Sequence, residues 1–477
     1  MVHRVGGKQD RNNKARIEQV DATGPATIID PVKLLGNAGS SLAQARYVLL
    51  ASLTGILCGT LGSYFHILID TLILWPGKLA AYFDGTQLLL MTMAITMVCT
   101  VLVALVVKRV APEAGGSGVQ EVEGAMEGLR TVRWHRVLPV KFFMGALAIG
   151  SGLVLGREGP TIHIGASFGA MFNNWFRNSI PEQRGLLAAG AAAGLACAFN
   201  APIAAVLFVI EETHRQFPYT YRTYMGVIAA ALFSTLMTQI IGGTAPDLAM
   251  PQINLPLLLL PGFLALGCVL GLLGVLLNKG LLWTGDLAAR MNAHVPYIFP
   301  ALIGLAVGAL LIQMPLSVTG GEQIIRHVVS ANHGLTFLLL LACMRFLTLI
   351  GSYACGVPGG IFAPILALAT CTGIAFGGVV DGFFPVADNV PLAFAIAAMG
   401  GLFTASVRAP IVGIVLTLEL TGCYGLAMPL MATCLASNLT AQWLGGKPIY
   451  EQLLERTLRQ AGIEPKPVKP ESSTGLA

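Results

Sequence analysis

The sequence predicts an all-α polytopic membrane protein with many broken and tilted helices, arranged as two homologous halves. Its 477 residues are 55% hydrophobic and 11% charged, whereas soluble domains average about 25% charged residues. Apolar runs such as residues 46–75 and 88–107 are long enough to cross a bilayer, which requires roughly 20 residues. Such runs recur to about residue 444, and they must be helical because lipid offers the backbone no hydrogen-bond partner.

The first segment of the chain is predicted to be a polar arm on the cytoplasmic side of the membrane. It contains no apolar core of the kind that a cleavable signal peptide carries near its start. Basic residues favour the cytoplasmic side, and the net charge of +5 fits that bias. No basic stripe alternates with aromatic residues, so no nucleic-acid partner is expected. The basic residues of the arm are Arg4, Lys8, Arg11, Lys14, Arg16 and Lys33.

Several apolar segments are too short to span a bilayer or are interrupted by glycine and proline. Broken helices are tolerated in a membrane only where protein or an aqueous cavity covers their backbone, which favours a transporter or a channel. The nine cysteines lie nearly all in apolar runs and show no metal-binding spacing, so no metal and no cofactor are expected. The short or broken segments are 119–128, 137–155, 161–176, 186–199, 202–213, 358–380, 392–406 and 410–421.

An internal repeat supports the division into two halves. FNAPIAAVLFVIEE (199–212) matches VRAPIVGIVLTLEL (407–420), so that Glu211 corresponds to Glu419. Repeats with broken helices predict a substrate site near the bilayer midplane, where the halves meet. The predicted domains are the cytoplasmic arm, the two membrane halves, and a last helix with a short cytoplasmic tail and no regulatory domain: residues 1–45, 46–250, 251–446 and 447–477.

Three glycine-rich segments each begin a predicted helix, and together they predict one anion site. GGSGVQ (115–120) is the first, and GREGPT (156–161) and GGIFAP (359–364) both place a proline in the first helical turn, where proline is favoured. A helix N-terminus presents free N–H groups and about half a positive charge. Converging N-termini can therefore bind an anion without a buried lysine or arginine.

Together these motifs resemble the CLC family of chloride channels and chloride/proton antiporters, and most closely its prokaryotic antiporter branch. The resemblance covers about residues 46–456 and implies the CLC-type inverted repeat. It also implies a homodimer in the lipid bilayer, with one pathway for chloride and protons in each subunit. The motifs that carry it, in chain order, are GSGVQ (116–120), GREGP (156–160), GGIFAP (359–364) and Tyr450 in GGKPIYEQLLERTL.

The resemblance also implies roles for individual residues. Two hydroxyl groups and two backbone N–H groups would bind the central chloride, while two glutamates would carry protons and gate the pathway. The chloride-binding residues are Ser117 and Tyr450 through their hydroxyls, and Ile361 and Phe362 through their backbones. The glutamates are Glu158, as external gate and proton acceptor, and Glu212, as internal proton-transfer group.

The two glutamates can also be judged by their own chemistry. An ionisable residue inside a membrane points to function, although a carboxylate such as Glu158 could instead merely cap a helix start. A charged carboxylate is itself an anion, so Glu158 fits an anion site and releases it on protonation. Glu211 recurs as Glu419 and is expected to be structural, whereas Glu212 corresponds to Leu420 in the second half. Glu212 is therefore the better proton carrier, although it could also be a helix-end carboxylate.

Five further residues carry weaker expectations. Gln120 replaces the proline that usually ends the first family motif, which could change anion selectivity between chloride and nitrate. Arg157 is expected to support the outer vestibule, Arg345 to pair with a carboxylate, Lys141 to attract anions and His163 to be a packed histidine.

The sequence thus predicts a chloride/proton antiporter in the inner (cytoplasmic) membrane of a bacterium, and not an enzyme. The alternative is a passive voltage- or pH-gated chloride channel of the same fold. An intramembrane enzyme would need a nucleophile and a base on facing helices, and no motif brings such a pair together.

Overall fold

The computed structural model describes residues 31–213, 217–244, 248–253, 255–330, 334–384 and 389–463. The chain divides into two compact units, residues 1–45 and 46–477, and the site lies in the second. The described part is helical throughout, and its extended pairings are limited to two isolated bridges. The predicted all-α fold is confirmed.

Ten α-helices lie in the described part of the chain before residue 250. The fifth and sixth are joined by a π-helical turn at Val140–Met144, so they form one broken element. They are α1 (Pro31–Leu72), α2 (Trp75–Leu79), α3 (Gly85–Val110), α4 (Val119–Met126), α5 (Trp134–Pro139), α6 (Gly145–Gly150), α7 (Glu158–Phe176), α8 (Ile180–Phe199), α9 (Pro202–Glu212) and α10 (Tyr221–Gly242).

Nine helices follow in the rest of the described chain. They are α11 (Leu260–His294), α12 (Ile298–Gln313), α13 (Glu322–Ser330), α14 (Leu335–Ala354), α15 (Phe362–Phe383), α16 (Val390–Val407), α17 (Pro410–Thr421), α18 (Ala427–Trp443) and α19 (Ile449–Gln460).

Seven helical stretches of the described residues are long and apolar enough to cross a membrane. Helices α9 and α17 are shorter, with 11 and 12 residues. At a rise of 1.5 Å per residue they extend only about 17 Å, roughly half the hydrocarbon thickness. The protein is therefore a multi-pass membrane protein that mixes spanning helices with broken ones.

The centre of the fold consists of two helix pairs, α7 with α8 and α15 with α16. Every residue of α16 except Pro391 and Leu392, and every residue of α8 from Gly185 onward, is buried. Glycine and alanine dominate these helices, because membrane helices pack closely only where small residues let their backbones approach. The loops that precede α7 and α15 are thereby held within the protein and away from lipid.

The short helices α9 and α17 cap each other. At the C-terminal end of α17, Glu419 accepts hydrogen bonds from the N–H groups of Ile203 and Ala204 at 3.2 and 2.7 Å. At the end of α9, Glu211 accepts from the N–H groups that begin α17, Ile411 and Val412, at 3.3 and 2.9 Å. Each carboxylate thus satisfies orphan donors and meets the positive end of the other helix. The structural role predicted for this pair is confirmed.

Arg345 corrects one expectation. Its guanidinium is fully buried and meets no carboxylate among the residues that the structure describes. It donates instead to the backbone carbonyls of Leu316, Val318 and Thr319 at 3.2, 3.0 and 2.9 Å. Arginine suits this role because its planar fork offers several donors in fixed directions. The side chain therefore holds the turn that connects α12 to α13.

Replacing Arg345 by methionine should destabilise the protein, because three buried or partly buried carbonyls lose their donor. We expect the free energy of unfolding to fall by about 3 kcal/mol, visible as a lower thermal denaturation midpoint in detergent. The denaturation midpoint of Arg345→Lys should lie between those of wild type and Arg345→Met. Arg459→Met is the matched control, since Arg459 is 72% exposed and forms only a 3.4 Å pair with Glu455. Equal midpoints for Arg345→Met and Arg459→Met would contradict this account.

Candidate anion and proton site

Backbone bridges join the three glycine-rich loops. The Gly116 N–H donates to the Val357 carbonyl at 3.0 Å, and the Gly359 N–H donates to the Gly116 carbonyl at 3.1 Å. Gly156 and Gly360 exchange two hydrogen bonds of 2.8 and 2.7 Å. The segment before α15 therefore pairs with the loops before α4 and α7. The starts of these three helices converge, as the sequence predicted.

The loop before α4 is shaped by one glycine and one lysine. Gly118 has a φ of +95° and packs against the ring of His163, so a side chain there would be strained and would clash. Behind the loop, the fully buried Lys141 ammonium donates to the carbonyls of Gly116 and Ser117 at 2.8 and 3.0 Å. Because the lysine binds these carbonyls on one side of the loop, the N–H and O–H groups of the loop are left to face the predicted anion site.

Glu158 occupies the place where the helix starts meet. It begins α7 and is fully buried. Its Oε1 accepts the Ala363 N–H at the start of α15, at 2.5 Å, while its Oε2 has no hydrogen-bond partner. The carboxylate also lies against Gly156 and Gly360. A side-chain anion therefore sits on a backbone donor of the predicted anion site.

Two hydroxyl groups face the same region and make no hydrogen bond. Ser117 Oγ and Tyr450 Oη are both buried without a partner, although the two groups are close enough to interact. Ser117 lies directly against Gly159, where an added Cβ would be 2.6 Å from its Oγ. Buried hydroxyls are normally satisfied, so both groups have hydrogen-bonding capacity that the described residues do not use.

Phe362 and Ile361 stand at the start of α15. Ile361 precedes the helix and Phe362 is its first residue, so their N–H groups lie where a helix has no internal acceptors. The Phe362 ring is packed edge-on against those of Phe403 and Tyr450, with centroids 4.9 and 5.8 Å away. These aromatic contacts fix the helix start and position the Tyr450 hydroxyl near it.

Glu212 lies apart from this centre, at the end of α9. Its side chain is half-buried, and three other carboxylates, those of Glu123, Glu211 and Glu451, are near enough to interact with it electrostatically. Tyr450 lies within electrostatic reach of both Glu212 and Glu158. The two predicted proton carriers are therefore separate groups, and both are near enough to Tyr450 to interact with it.

The residues with weaker expectations also have defined positions. Gln120 is buried, and its Oε1 accepts the Gly118 N–H at 3.2 Å, so it caps the start of α4. Arg157 pairs with Glu322 at 2.7 Å beside a polar cavity of about 320 Å³. His163 is buried, as predicted.

Sequence reasoning did not identify one residue of this site. Tyr353, near the end of α14, is buried, and its hydroxyl accepts the Ser117 N–H at 3.5 Å. The signal was its place in SYACGVPGGIFAP, only a few residues before the third glycine-rich segment. A tyrosine at the end of an apolar helix is common enough to pass without notice.

Comparisons with known proteins agree with this geometry. A family model described as "Voltage gated chloride channel" matches residues 99–442. The "H(+)/Cl(-) exchange transporter ClcA" of Vibrio cholerae serotype O1 is 43% identical over 432 residues, which cover 89% of this chain and 92% of the relative. The protein of the same name from Cronobacter sakazakii is 41% identical over 428 residues, covering 87% and 91%.

A solved structure gives the same result for the fold. The structure described as "a slow cyanobacterial Cl-/H+ antiporter" superposes with a TM-score of 0.83 at 36% identity, covering 87% of this chain and 99% of that one. The glycine-rich loops, the converging helix starts and these similarities lead to one assignment. The chain belongs to the CLC family, whose model bears the description of a voltage-gated chloride channel.

Proposed function

We propose that this protein is a chloride/proton antiporter, a secondary active transporter that exchanges chloride for protons across the cytoplasmic membrane of a bacterium. The observation that carries the proposal is the position of Glu158. Its carboxylate accepts the Ala363 N–H at the start of α15, next to the N–H groups of Ile361 and Phe362. The names of the bacterial relatives support the same exchange.

Competition at this position couples the two ions. Deprotonated Glu158 is an anion tethered to the site, and it takes backbone donors that chloride would use. Protonation removes its charge and weakens its hold on the positive end of α15. The carboxyl group then leaves, and chloride occupies the donors. Proton and chloride therefore bind in a linked way, as exchange requires.

Chloride would be held by neutral donors. We assign the hydroxyls of Ser117 and Tyr450, both unpartnered and buried, and the N–H groups of Ile361 and Phe362. Buried donors without a counter-charge favour an anion, and they avoid the tight ion pair that a buried arginine would form. Such a site can release its ion, which transport demands.

Glu212 would deliver protons from the cytoplasmic side. It lies at the end of α9 among three other carboxylates, and like charges favour retention of a proton within such a group. Its proton reaches Glu158 by a route that passes Tyr450, which interacts with both. A channel would need no second proton carrier, and Glu212 therefore favours the antiporter over the passive channel.

The assembly we propose is a homodimer of chains with two inverted halves, each chain with its own pathway. The pairs α7–α8 and α15–α16 and the mutual caps of α9 and α17 support the repeat. Ile203 and Ile411, at the starts of the short helices α9 and α17, are 60% and 53% exposed. Lipid tails cannot hydrogen-bond to the polar backbone at these helix starts. We therefore expect a second copy of the chain to cover this surface.

Replacing Glu212 by glutamine should separate the two ion fluxes. In liposomes with a chloride gradient as the only driving force, wild type should move protons uphill. Glu212→Gln removes the internal proton carrier and keeps the size of the side chain. We expect chloride transport to continue while proton transport falls at least about tenfold.

Glu419→Gln is the matched control, because Glu419 is also a helix-end glutamate but serves as a cap. It should retain proton coupling and lower thermal stability. Chloride movement without proton movement in wild type would instead identify a passive channel. Loss of coupling in both variants would contradict the distinction between Glu212 and the cap.

Replacing Glu158 by alanine should remove both the tethered anion and the proton acceptor. Chloride flux should then persist without proton movement, and its dependence on external pH should disappear. Wild-type flux should instead rise as the pH falls, because protonated Glu158 leaves the site. The check is chloride efflux measured between about pH 4 and pH 7.5, a range that begins near the ordinary pKa of a glutamate carboxyl group, about 4.3. A pH dependence retained in Glu158→Ala would contradict the gating role.

A light-scattering measurement of the detergent-solubilised protein tests the homodimer. The protein component should have the mass of two chains. Charged substitutions of Ile203 and Ile411 should reduce it to one, because a charge cannot be buried in an apolar interface without a partner. A single-chain mass in wild type would exclude the homodimer in detergent.

A further inference from the structure

Tyr353 places a third hydroxyl beside the two that we assign to chloride. The side chain is 8% exposed and lies near the end of α14. Its Oη accepts the backbone N–H of Ser117 and lies within electrostatic reach of Tyr450. Gly116 leaves room for it, since a Cβ added there would be 3.3 Å from Oη. The hydroxyl is therefore adjacent to both proposed ligands.

The hydrogen-bonding capacity of this hydroxyl is only partly used. Its one hydrogen bond, from Ser117, measures 3.5 Å, which is longer than the usual 2.7–3.2 Å for N–H donors. Within the residues described, no acceptor receives the Tyr353 proton. A phenol that accepts in one direction must direct its O–H elsewhere. Burying a hydroxyl without a full set of partners is costly, so packing alone does not account for it.

The charges around Tyr353 allow an anion to approach. Arg456 of α19 interacts with it from a distance, and the Lys141 ammonium lies behind Ser117. The hydroxyls of Ser117 and Tyr450 have no hydrogen-bond partner among the described residues, and that of Tyr353 only accepts, so each retains an unused proton. Three converging O–H donors match the requirements of a small monovalent anion.

We propose that Tyr353 is a further anion-coordinating residue of the transport pathway. It donates its O–H to a chloride ion that lies next to Ser117 and Tyr450, on the side of Arg456. The inference rests on the proposed function, because it takes chloride as the transported anion. Tyr353 would hold the ion as it moves between the site formed by Ser117 and Tyr450 and the region near Arg456. Its bond from Ser117 keeps the hydroxyl oriented for this contact.

Chloride binding to the purified full-length protein, measured by isothermal titration calorimetry, tests the proposal. Tyr353→Phe removes only the hydroxyl. We expect the dissociation constant for chloride to rise about tenfold, as for the loss of one hydrogen bond to a charged group. Tyr47→Phe is the matched control, because Tyr47 is also buried but lies against Gly185 and Gly226. Its affinity for chloride should equal that of wild type.

A double substitution adds a readout that a structural role would not change. If Tyr353 and Tyr450 hold the same ion, the effects of Tyr353→Phe and Tyr450→Phe on affinity should not multiply in the double variant. An unchanged affinity in Tyr353→Phe would overturn the proposal. So would a tighter affinity, which would mean that the hydroxyl competes with chloride for the Ser117 N–H. Absence of chloride binding in wild type would instead overturn the proposed function itself.

Discussion

The backbone pairing between three glycine-rich loops is the constraint on which the site depends. Gly116 pairs with the segment at 357–359, and Gly156 pairs with Gly360. These bonds bring three helix starts to one point, although the loops are far apart in the chain. Within a membrane such irregular backbone must be enclosed by protein. The buried small-residue pairs α7–α8 and α15–α16 provide that enclosure, so the surrounding fold serves to keep the loops paired.

The pairing also determines what kind of ion the site can hold. The carbonyls that form the bridges accept backbone N–H groups, and the carbonyls of Gly116 and Ser117 accept from Lys141, so these oxygens are already engaged. A site made of donors alone favours an anion. Its positive charge is spread over helix ends and a lysine whose ammonium donates to two carbonyls. In the function that we propose, the anion is therefore exchangeable, and the Glu158 carboxylate can take its place.

Local patterns predicted much of this structure. The predicted short segments 202–213 and 410–421 agree within a residue with the observed helices Pro202–Glu212 and Pro410–Thr421. The bounds were predictable because glycine and proline mark the ends of helices. The pairing of the loops and the ligands of Arg345 could not be predicted. The Arg345 guanidinium donates to backbone carbonyls. Every residue has such a carbonyl, so the sequence does not reveal which residues are the partners. Tyr353 was missed for a related reason, since its partner is a backbone N–H.

The end of α9 connects the repeat with the chemistry. Glu211 and Glu212 are neighbours, and successive helical residues point about 100° apart. Glu211 reaches the start of α17, whereas Glu212 lies near Glu123 and Glu451. The second half keeps the cap, as Glu419, but has Leu420 at the next position. The mutual caps thus form a symmetric scaffold, and Glu212 and Leu420 are one position at which the two helices differ in charge. In the function that we propose, this difference allows proton delivery from one side only, and a transporter that exchanges two ions along partly different routes requires such an asymmetry.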